Sequence, residues 1–430
     1  MHIYFSGIGG TGIGPLALIA KQAGYGVSGS DATKSDYIDY LRDQGIKNVH
    51  IGQSRAQIAK VHQSRPIDWF VYSSALPKTD TNHPELVFCQ ENAVKTSKRD
   101  ELLNKIIKDK GLQMVAVAGT HGKTTTTAMA IWVLKQLGEP ISYSVGAKIG
   151  FGDMGTFNPK SRYFIYEADE FDRNFLSFYP ELSLITGIDW DHPDIYPTRE
   201  SYNETFLEFI GQSRQTYLWH NDAERLGLEV AADHHVLDEK EPAIEQIKLL
   251  GLVNRQNAWL AAQGLGDLMQ RPASDLIKIL EKFPGVSRRF EQIVPGLLSD
   301  YAHTPAKITG ALQLAQEVAG NKVVVVYEGL HNTRQHFIKD SLEHLFDGVK
   351  QLYIVPSYLA REDQALKTLL PTDLLNLLSS ESKSHSQAMQ LNQDFKNQIN
   401  QHLKQNDLVL CLSAGGSGSL DEWLRKEFAR

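Results

Sequence analysis

Gly119-Thr120-His121-Gly122-Lys123-Thr124-Thr125 follows the apolar run Gln113–Ala118 and opens a helical pattern from Lys123 to about Leu137. The stretch is shorter than G-x-x-x-x-G-K-[ST], yet its ending, Gly-Lys-Thr, carries the chemistry of a phosphate loop. Between a buried strand and a helix, its backbone N–H groups can cradle phosphates. Lys123 can reach the β- and γ-phosphates, and the Thr124 hydroxyl can coordinate Mg²⁺. Such a loop belongs to an α/β domain, and the rest of the chain has the same texture. Short β-rich runs alternate with helical periodicity from end to end, the pattern of parallel sheets with crossover helices.

Upstream, strands are expected at His2–Ser6, Tyr25–Ser30, Asn48–Ile51 and Trp69–Ser73, with helices at Gly12–Ala23 and Tyr37–Gln44. The charged stretch Ser97–Lys110 is expected to be a helix leading out of this unit. Its first turn, Gly7-Ile8-Gly9-Gly10-Thr11-Gly12, satisfies G-x-G-x-x-G, and Asp31 ends the second strand 19 positions after Gly12. Strand, glycine loop, helix and acid in this register predict a Rossmann-like domain. The expectation is a diphosphate on the helix N-terminus with Asp31 able to hold a ribose hydroxyl, the alternative being a tight βα turn without ligand. The loop recognises a diphosphate and says little about the base.

Downstream, strands at Tyr163–Ala168, Leu182–Gly187 and Gln215–Trp219 extend the central unit, and Asn254–Met269 and Ala273–Lys282 read as helices. Phe283-Pro284-Gly285-Val286 breaks the pattern. A third α/β unit follows, with strands including Lys322–Tyr327, Gln351–Val355 and Asp407–Cys411, and with the polar stretch Ser379–Gln387 as a surface loop. Boundaries near 110 and 282 give three domains, 1–110, 111–282 and 283–430. Glu167-Ala168-Asp169-Glu170-Phe171-Asp172 and Asp189-Trp190-Asp191-His192 follow two central-domain strands, at the edge where ligands gather in open α/β sheets. Carboxylates so clustered repel one another unless a cation joins them, which points to a metal site. Asp169 and Asp172 taken singly read as a solvated acidic loop. The turn Leu412-Ser413-Ala414-Gly415-Gly416-Ser417-Gly418-Ser419 reads as structural.

The 430 residues are 42% apolar and 22% charged, enough for several cores. No apolar run approaches the roughly 20 residues that span a bilayer, and the start lacks the features of a signal peptide. Two distant cysteines, Cys89 and Cys411, make neither a disulfide framework nor a zinc ribbon. A net charge of −7 argues against a nucleic-acid partner. A cytoplasmic protein, monomeric or homodimeric and without a membrane partner, is expected.

Gly119–Thr125, Glu167-Ala168-Asp169-Glu170 and Asp191-His192 together resemble the Mur ligases, ATP-dependent amide-forming enzymes of peptidoglycan precursor synthesis. The resemblance spans the chain. Val27-Ser28-Gly29-Ser30-Asp31 with the first glycine loop is similar to the UDP-binding domain of the family's alanine-adding branch. Gly251-Leu252-Val253-Asn254-Arg255-Gln256-Asn257-Ala258 resembles the adenine-side motif. Gly285-Val286-Ser287-Arg288-Arg289-Phe290 and Asp300-Tyr301-Ala302-His303-Thr304-Pro305 resemble the entry to the third domain. The resemblance implies a Rossmann-like UDP-binding domain, a phosphate-loop ATPase domain and a Rossmann-like C-terminal domain that binds the amine substrate and closes. It implies UDP-N-acetylmuramate at Gly7, Gly9, Gly10, Gly12, Asp31 and Ser73. ATP is implied at Gly119, Thr120, His121, Gly122, Lys123, Thr124 and Thr125, with Asn254, Asn257, Arg288 or Arg289, Asp300 and His303. Mg²⁺ is implied at Thr124, Glu167 and His192. Lys123, His192 and Arg334 are the implied catalytic set, for a reaction through an acyl phosphate with L-alanine, or a short peptide, as the amine.

No lysine occurs between Ser161 and Glu239. Other Mur ligases place a carbamylated lysine there, whereas the alanine-adding branch and the branch that recycles a murein tripeptide lack it. Three departures bear on the amine. Thr304 stands where the family has a second histidine, His331 stands where an arginine is expected, and only Arg334 keeps the arginine of that pair. Phe171-Asp172, Asp194-Ile195-Tyr196 and Asn332-Thr333 resemble the recycling branch. Tyr358-Leu359-Ala360-Arg361-Glu362 resembles the alanine-adding branch. A nucleotide-sugar-binding regulator without ligase activity is the alternative of another class, and an NAD-dependent dehydrogenase would rest on the first loop alone.

Overall fold

A computed structural model of the chain describes residues 1–73, 76, 82–192, 195–228, 233–359, 362–363 and 365–429. The described strands form three sheets, and with their helices these make three α/β domains. The first sheet holds β1 (His2–Ser6), β2 (Gly26–Asp31), β3 (Val49–Ile51), β4 (Trp69–Tyr72) and β5 (Lys95–Lys98), all parallel, in the order β3-β2-β1-β4-β5. The chain winds outward from β1 to one side and then returns to build the other. The Gly7–Gly12 turn therefore leaves the sheet at its switch point.

The second sheet holds β6 (Gln113–Ala118), β7 (Ile141–Ser144), β8 (Gly155–Thr156), β9 (Tyr163–Glu167), β10 (Leu182–Ile185), β11 (Thr216–Trp219) and β12 (His234–Leu237). Its order is β12-β11-β10-β6-β9-β7-β8, parallel except for the edge pair β7–β8. Met114–Ala118 is buried on both faces, which is why β6 reads as an unbroken apolar run and not as an alternation. The third sheet holds β13 (Glu291–Val294), β14 (Leu297–Asp300), β15 (Val323–Leu330), β16 (Gln351–Tyr358), β17 (Ser386–Ala388) and β18 (Leu408–Leu412), ordered β13-β14-β18-β15-β16-β17.

By compactness, Met1–Ile247 with Gln256–Pro284 forms one unit, and Lys248–Arg255 with Gly285–Arg430 forms another. Within the first unit one apolar core runs from Ile3, Phe5 and Leu16 through Ala116 and Phe164 to Phe206 and Leu226, so the first two sheets share an interior.

Two expectations are corrected. Within Ser97–Lys110, Ser97 and Lys98 belong to the edge strand β5 (Lys95–Lys98), and the helix spans Arg99–Asp109. The polar sequence hides the strand because its contacts are specific: Trp69 Nε1 donates to Ser97 Oγ (2.8 Å), and Lys95 Nζ lies 3.6 Å from the Trp69 ring centre. Ser379–Gln387 is likewise ordered. Ser379 caps the short helix Ser380–Ser384 by accepting from Ser382 N (3.0 Å), and β17 follows. Ser382 Oγ donates to Asp347 Oδ1 (2.6 Å), and Asp347 is pulled down to about 2, first by its hydrogen bond from Ser379 and then by those from Ser382 and His344. Hydroxyl–carboxylate bonds replace the apolar period that would have revealed these elements.

The end of β1 is fixed by a buried carboxylate. Glu85 accepts from Tyr4 Oη (2.8 Å) and Ser6 Oγ (2.7 Å), and Gln53 Nε2 donates to the same serine (2.8 Å). Tyr4, Ser6 and Glu85 are fully buried. Tyr4→Phe leaves Glu85 Oε1 without this donor and should cost about 1–3 kcal/mol. The expected readout is a lower urea midpoint with an unchanged m-value; an unaltered midpoint would show the pair contributes nothing.

Candidate active site

The phosphate loop leaves β6 between its two sheet neighbours, β9 and β10. That adjacency brings three loops to one edge: Gly119–Thr125 from β6, Glu167–Asp172 from β9 and Thr186–His192 from β10. Gly119 has φ +133°, and a Cβ there would lie 2.4 Å from Thr186 Oγ1 and 2.9 Å from Gly187 O, so no other residue fits. Gly122, at φ +78°, precedes the helix Lys123–Gln136, and a Cβ on it would lie 2.8 Å from Asn257 Oδ1. Thr120 N donates to Gly187 O (2.7 Å). Thr120 Oγ1 meets Asp189 O (2.6 Å), Asp189 N (2.8 Å) and Tyr202 Oη (2.7 Å). The β6 and β10 loops are thereby laced together. His121 Nε2 faces Asp189 Oδ2 at 3.6 Å, and Asp189 is held below the usual carboxylate range, chiefly by that histidine.

Lys123 Nζ donates to Gly119 O (2.5 Å) and to Glu170 Oε2 (2.6 Å). Burial works to lower its pKa. Glu170, followed by Asp169, outweighs burial and holds the ammonium above its ordinary value. The other oxygen of Glu170 lies 3.8 Å from His192 Nε2. His192 adopts φ +57° and meets the Phe171 ring edge-on at 5.1 Å. Thr124 Oγ1 donates to Glu167 Oε1 (2.8 Å), whose second oxygen accepts from Gly146 N (2.7 Å). Among the described residues, no group of three or more His, Cys, Asp or Glu has metal-holding geometry. The hydroxyl–carboxylate pair of Thr124 and Glu167 is nonetheless the oxygen donor set a hard cation takes, with water filling the remaining positions. Residues 119–125 place two positive-φ glycines, Gly119 and Gly122, ahead of the helix N-terminus at Lys123, the loop form that cradles phosphates. His192 faces Glu170 and not the Thr124–Glu167 pair.

Asp169 and Asp172 are not simply solvated. Asp172 pairs with Lys98 Nζ (2.6 Å) and Asp169 Oδ2 lies 3.6 Å from Arg99 Nη2, both cations belonging to the first domain. At the first glycine loop, Gly9 N donates to Asp31 Oδ2 (2.8 Å) and Gly7 N to Ser30 O (2.8 Å). A Cβ on Gly9 would lie 2.8 Å from Ser35 Oγ. Ser73 follows β4, half-buried.

In the third domain, Arg288 Nη2 donates to Ser413 O (2.8 Å) and Gly415 O (2.9 Å), so its guanidinium braces the glycine turn after β18. Glu422 accepts from Gly418 N within that turn, placing the chain's own carboxylate where an anion would sit. Arg289 lies 4.7 Å from the Tyr301 ring centre. Asp300 accepts from Phe290 N and Ala302 N (2.8 Å each), and burial, partly offset by Arg289, raises its pKa. His303 Nδ1 lies 2.8 Å from Tyr301 O. His331, at φ +55°, faces Glu362 at 3.4 Å, and Arg334 sits on the helix Asn332–Ile338 that follows. Asn254 belongs to this second unit, whereas Asn257 belongs to the first. Asp194, Ala360 and Arg361 lie outside the described residues.

The structure thus gathers Gly119–Thr125, Glu167, His192 and Asn257. It adds Glu170, which the sequence reading left out of the site although it stands three residues after Glu167. The missed signal was physical: a buried lysine at a strand end needs a carboxylate partner, and Glu170 was the acid within reach.

Three alignments accompany this geometry. Residues 2–110 match the Mur ligase family catalytic domain, 117–237 the Mur ligase middle domain, and 288–415 the Mur ligase glutamate ligase domain. The chain belongs to the Mur ligase family. It is 30% identical over 423 residues to the UDP-N-acetylmuramate–L-alanine ligase of Cytophaga hutchinsonii, covering 89% of this chain and 88% of that one. It is 29% identical over 452 residues to the same-named protein of Christiangramia forsetii, covering 99% and 97%. Two solved structures share the fold. The UDP-N-acetylmuramate-alanine ligase of Thermotoga maritima gives a TM-score of 0.73 at 23% identity, and the murein peptide ligase of Psychrobacter arcticus gives 0.66 at 20%, each alignment covering 99% of this chain and 98% of the other.

The loop carrying Asp189 and His192 is anchored from below by Asp222, whose Oδ1 accepts from Ile188 N (3.1 Å). Burial pushes Asp222 up to about 6, only partly opposed by that bond and by Arg225. A carboxyl raised in the fold contributes stability that is present below about 3.8 and lost as pH rises through about 6. Asp222→Asn lacks this loss. Its stability relative to the parent should therefore rise by about 1–3 kcal/mol between pH 4 and pH 7. Chemical denaturation at both pH values reads this directly, and a pH-independent difference would contradict it.

Proposed function

We propose that this chain is an ATP-dependent, ADP-forming ligase that joins L-alanine to UDP-N-acetylmuramate in peptidoglycan precursor synthesis. The observation that carries the reading is the gathering of Lys123, Thr124, Glu167 and His192 around a phosphate loop at one sheet edge, in a unit that also holds a diphosphate-type glycine loop. A regulator that only bound nucleotide sugar would have no need for the complete set. The family and its alanine-ligase relatives support the same reaction.

In this reading Lys123 and the amides of Gly119–Thr125 hold the triphosphate. Bound at Thr124 and Glu167, Mg²⁺ would neutralise charge on the transferring phosphoryl group. The sugar's carboxylate attacks the γ-phosphorus, giving an acyl phosphate and ADP. The neutral amine then adds to the acyl carbon, and phosphate leaves from the tetrahedral adduct. Catalysis is mostly positioning and charge stabilisation. His192 orients the reacting carboxylate. Glu170 keeps the Lys123 ammonium on station. Asn257, behind Gly122, is assigned to the nucleoside, with Asn254 secondary. Arg334 is assigned to the carboxylate of the amine substrate. Arg288, Asp300 and His303 are assigned to the nucleotide; Arg288 Nη2 and the Asp300 carboxylate also bond within their own domain. Among the described residues no helix is long and apolar enough to cross a membrane, and we assign the activity to the cytoplasm.

The alternative amine is a murein tripeptide, because Phe171-Asp172 and Asn332-Thr333 resemble the recycling branch. Phosphate release with UDP-N-acetylmuramate and each of L-alanine, L-serine, glycine and the tripeptide separates the readings. Stimulation by L-alanine alone is expected. Stimulation only by the tripeptide selects the other branch, and ATP binding without stimulation by any amine sinks the ligase reading. Lys123→Ala should lose turnover by at least a hundredfold, on the order expected when a charge-stabilising group is removed, while nucleotide-sugar binding persists. Loss of sugar binding in that variant would show that the two glycine loops are not separate sites.

A further inference from the structure

Arg99 opens the helix Arg99–Asp109, directly after the edge strand β5. Its side chain is 26% exposed and its nitrogens face three ways. Nε lies 3.4 Å from Asp100 Oδ1, and Nη2 lies 3.6 Å from Asp169 Oδ2. Nη1 lies 2.5 Å from where a Cβ on Gly12 would be. Gly12 is the third glycine of the G-x-G-x-x-G pattern, the position that ordinarily makes room for close helix–strand packing. Here it makes room for a guanidinium. Both carboxylate distances exceed the ~2.7–2.9 Å of a closed charge-assisted hydrogen bond. By contrast, Arg425 reaches Glu291 at 2.6 Å. Asp100 and Asp169 thus aim Arg99 without locking its fork. The helix that the glycine loop opens, Gly14–Gln22, has no side-chain cap and no acidic residue in its first turn, so no carboxylate of its own competes for this cation.

We propose that Arg99 is a diphosphate-binding residue. Its Nη1 arm contacts the diphosphate of the nucleotide sugar at Gly7–Gly12, and its other arms tie that diphosphate to the acidic loop bearing Glu167 and Glu170. The fork geometry suits phosphate oxygens in a way a lysine does not. The consequence is a fixed span: the group that holds the anionic handle of the substrate is attached to the loop beside which its carboxylate must react.

This inference rests on reading the first loop as a UDP site, and the test keeps the two apart. Titration calorimetry with UDP, and ligand-detected NMR with uridine, are run on the parent chain, Arg99→Ala and Arg99→Lys, with thermal unfolding in parallel. Arg99→Ala should weaken UDP by roughly ten- to a hundredfold, the range for a hydrogen bond to a charged group. Uridine and a non-hydrolysable ATP analogue should bind as before. Arg99→Lys should lose less, and it decides the matter if the alanine variant does not fold. Unchanged UDP affinity, or an equal loss for uridine, overturns the assignment of Arg99 alone. A parent chain that binds no UDP overturns the first-loop reading and this inference with it.

Discussion

An ammonium held at 15% exposure against a carboxylate at 2% is the interaction around which the central domain is arranged. Neither Lys123 nor Glu170 could occupy this place alone, since an unpaired buried charge is strongly unfavourable. Lys123 comes from the loop after β6 and Glu170 from the loop after β9, and His192 from the loop after β10 meets the second oxygen of Glu170. One carboxylate therefore registers three loops against one another. Its own backbone is held from further along the β10 loop, Tyr196 Oη donating to the Glu170 carbonyl. The order β10-β6-β9 makes this possible, because parallel neighbours deliver their carboxyl ends to the same edge.

The backbone constraints point the same way. Gly119 is forced by Thr186 and Gly187, and Thr120 spans to Asp189, so the phosphate loop takes its shape from the strand beside it as much as from its own sequence. A loop stiffened before it meets a ligand loses less entropy on binding. In the third domain Arg288 and Glu422 do comparable work on the turn after β18, filling from within the chain the hydrogen bonds that a glycine-rich turn exposes.

Much of this was legible in residues alone. β1, β6, β9, β10 and β15 are apolar runs next to glycine or acid clusters, and buried parallel strands advertise themselves in that way. The strands that the sequence does not announce, β5, β7, β8, β12, β13, β14 and β17, are two to four residues long, and several are polar, β5 being Lys-Thr-Ser-Lys and β17 Ser-Gln-Ala. Their stability lies in partners far along the chain, such as Trp69 for Ser97, which no local period records. The same holds at the site. Lys123, Thr124 and Glu167 sit in motifs, whereas the roles of Glu170 and Arg99 depend on which strand lies beside which. The sequence could suggest that Arg288 meets the nucleotide; only coordinates reveal its bonds to Ser413 and Gly415.

The core shared by the first two sheets has a thermodynamic corollary. With Leu16 and Ile19 in the same interior as Phe164 and Phe206, and with Phe157 N bonded across to Gln22, the two loops stand on one continuous core, and one cooperative unfolding transition is expected for both. Each ligand of such a unit shifts the same unfolding equilibrium by RT ln(1 + [L]/Kd). The nucleotide sugar and the triphosphate would then reinforce one melting transition, and neither domain would be cut free of the other without exposing apolar surface.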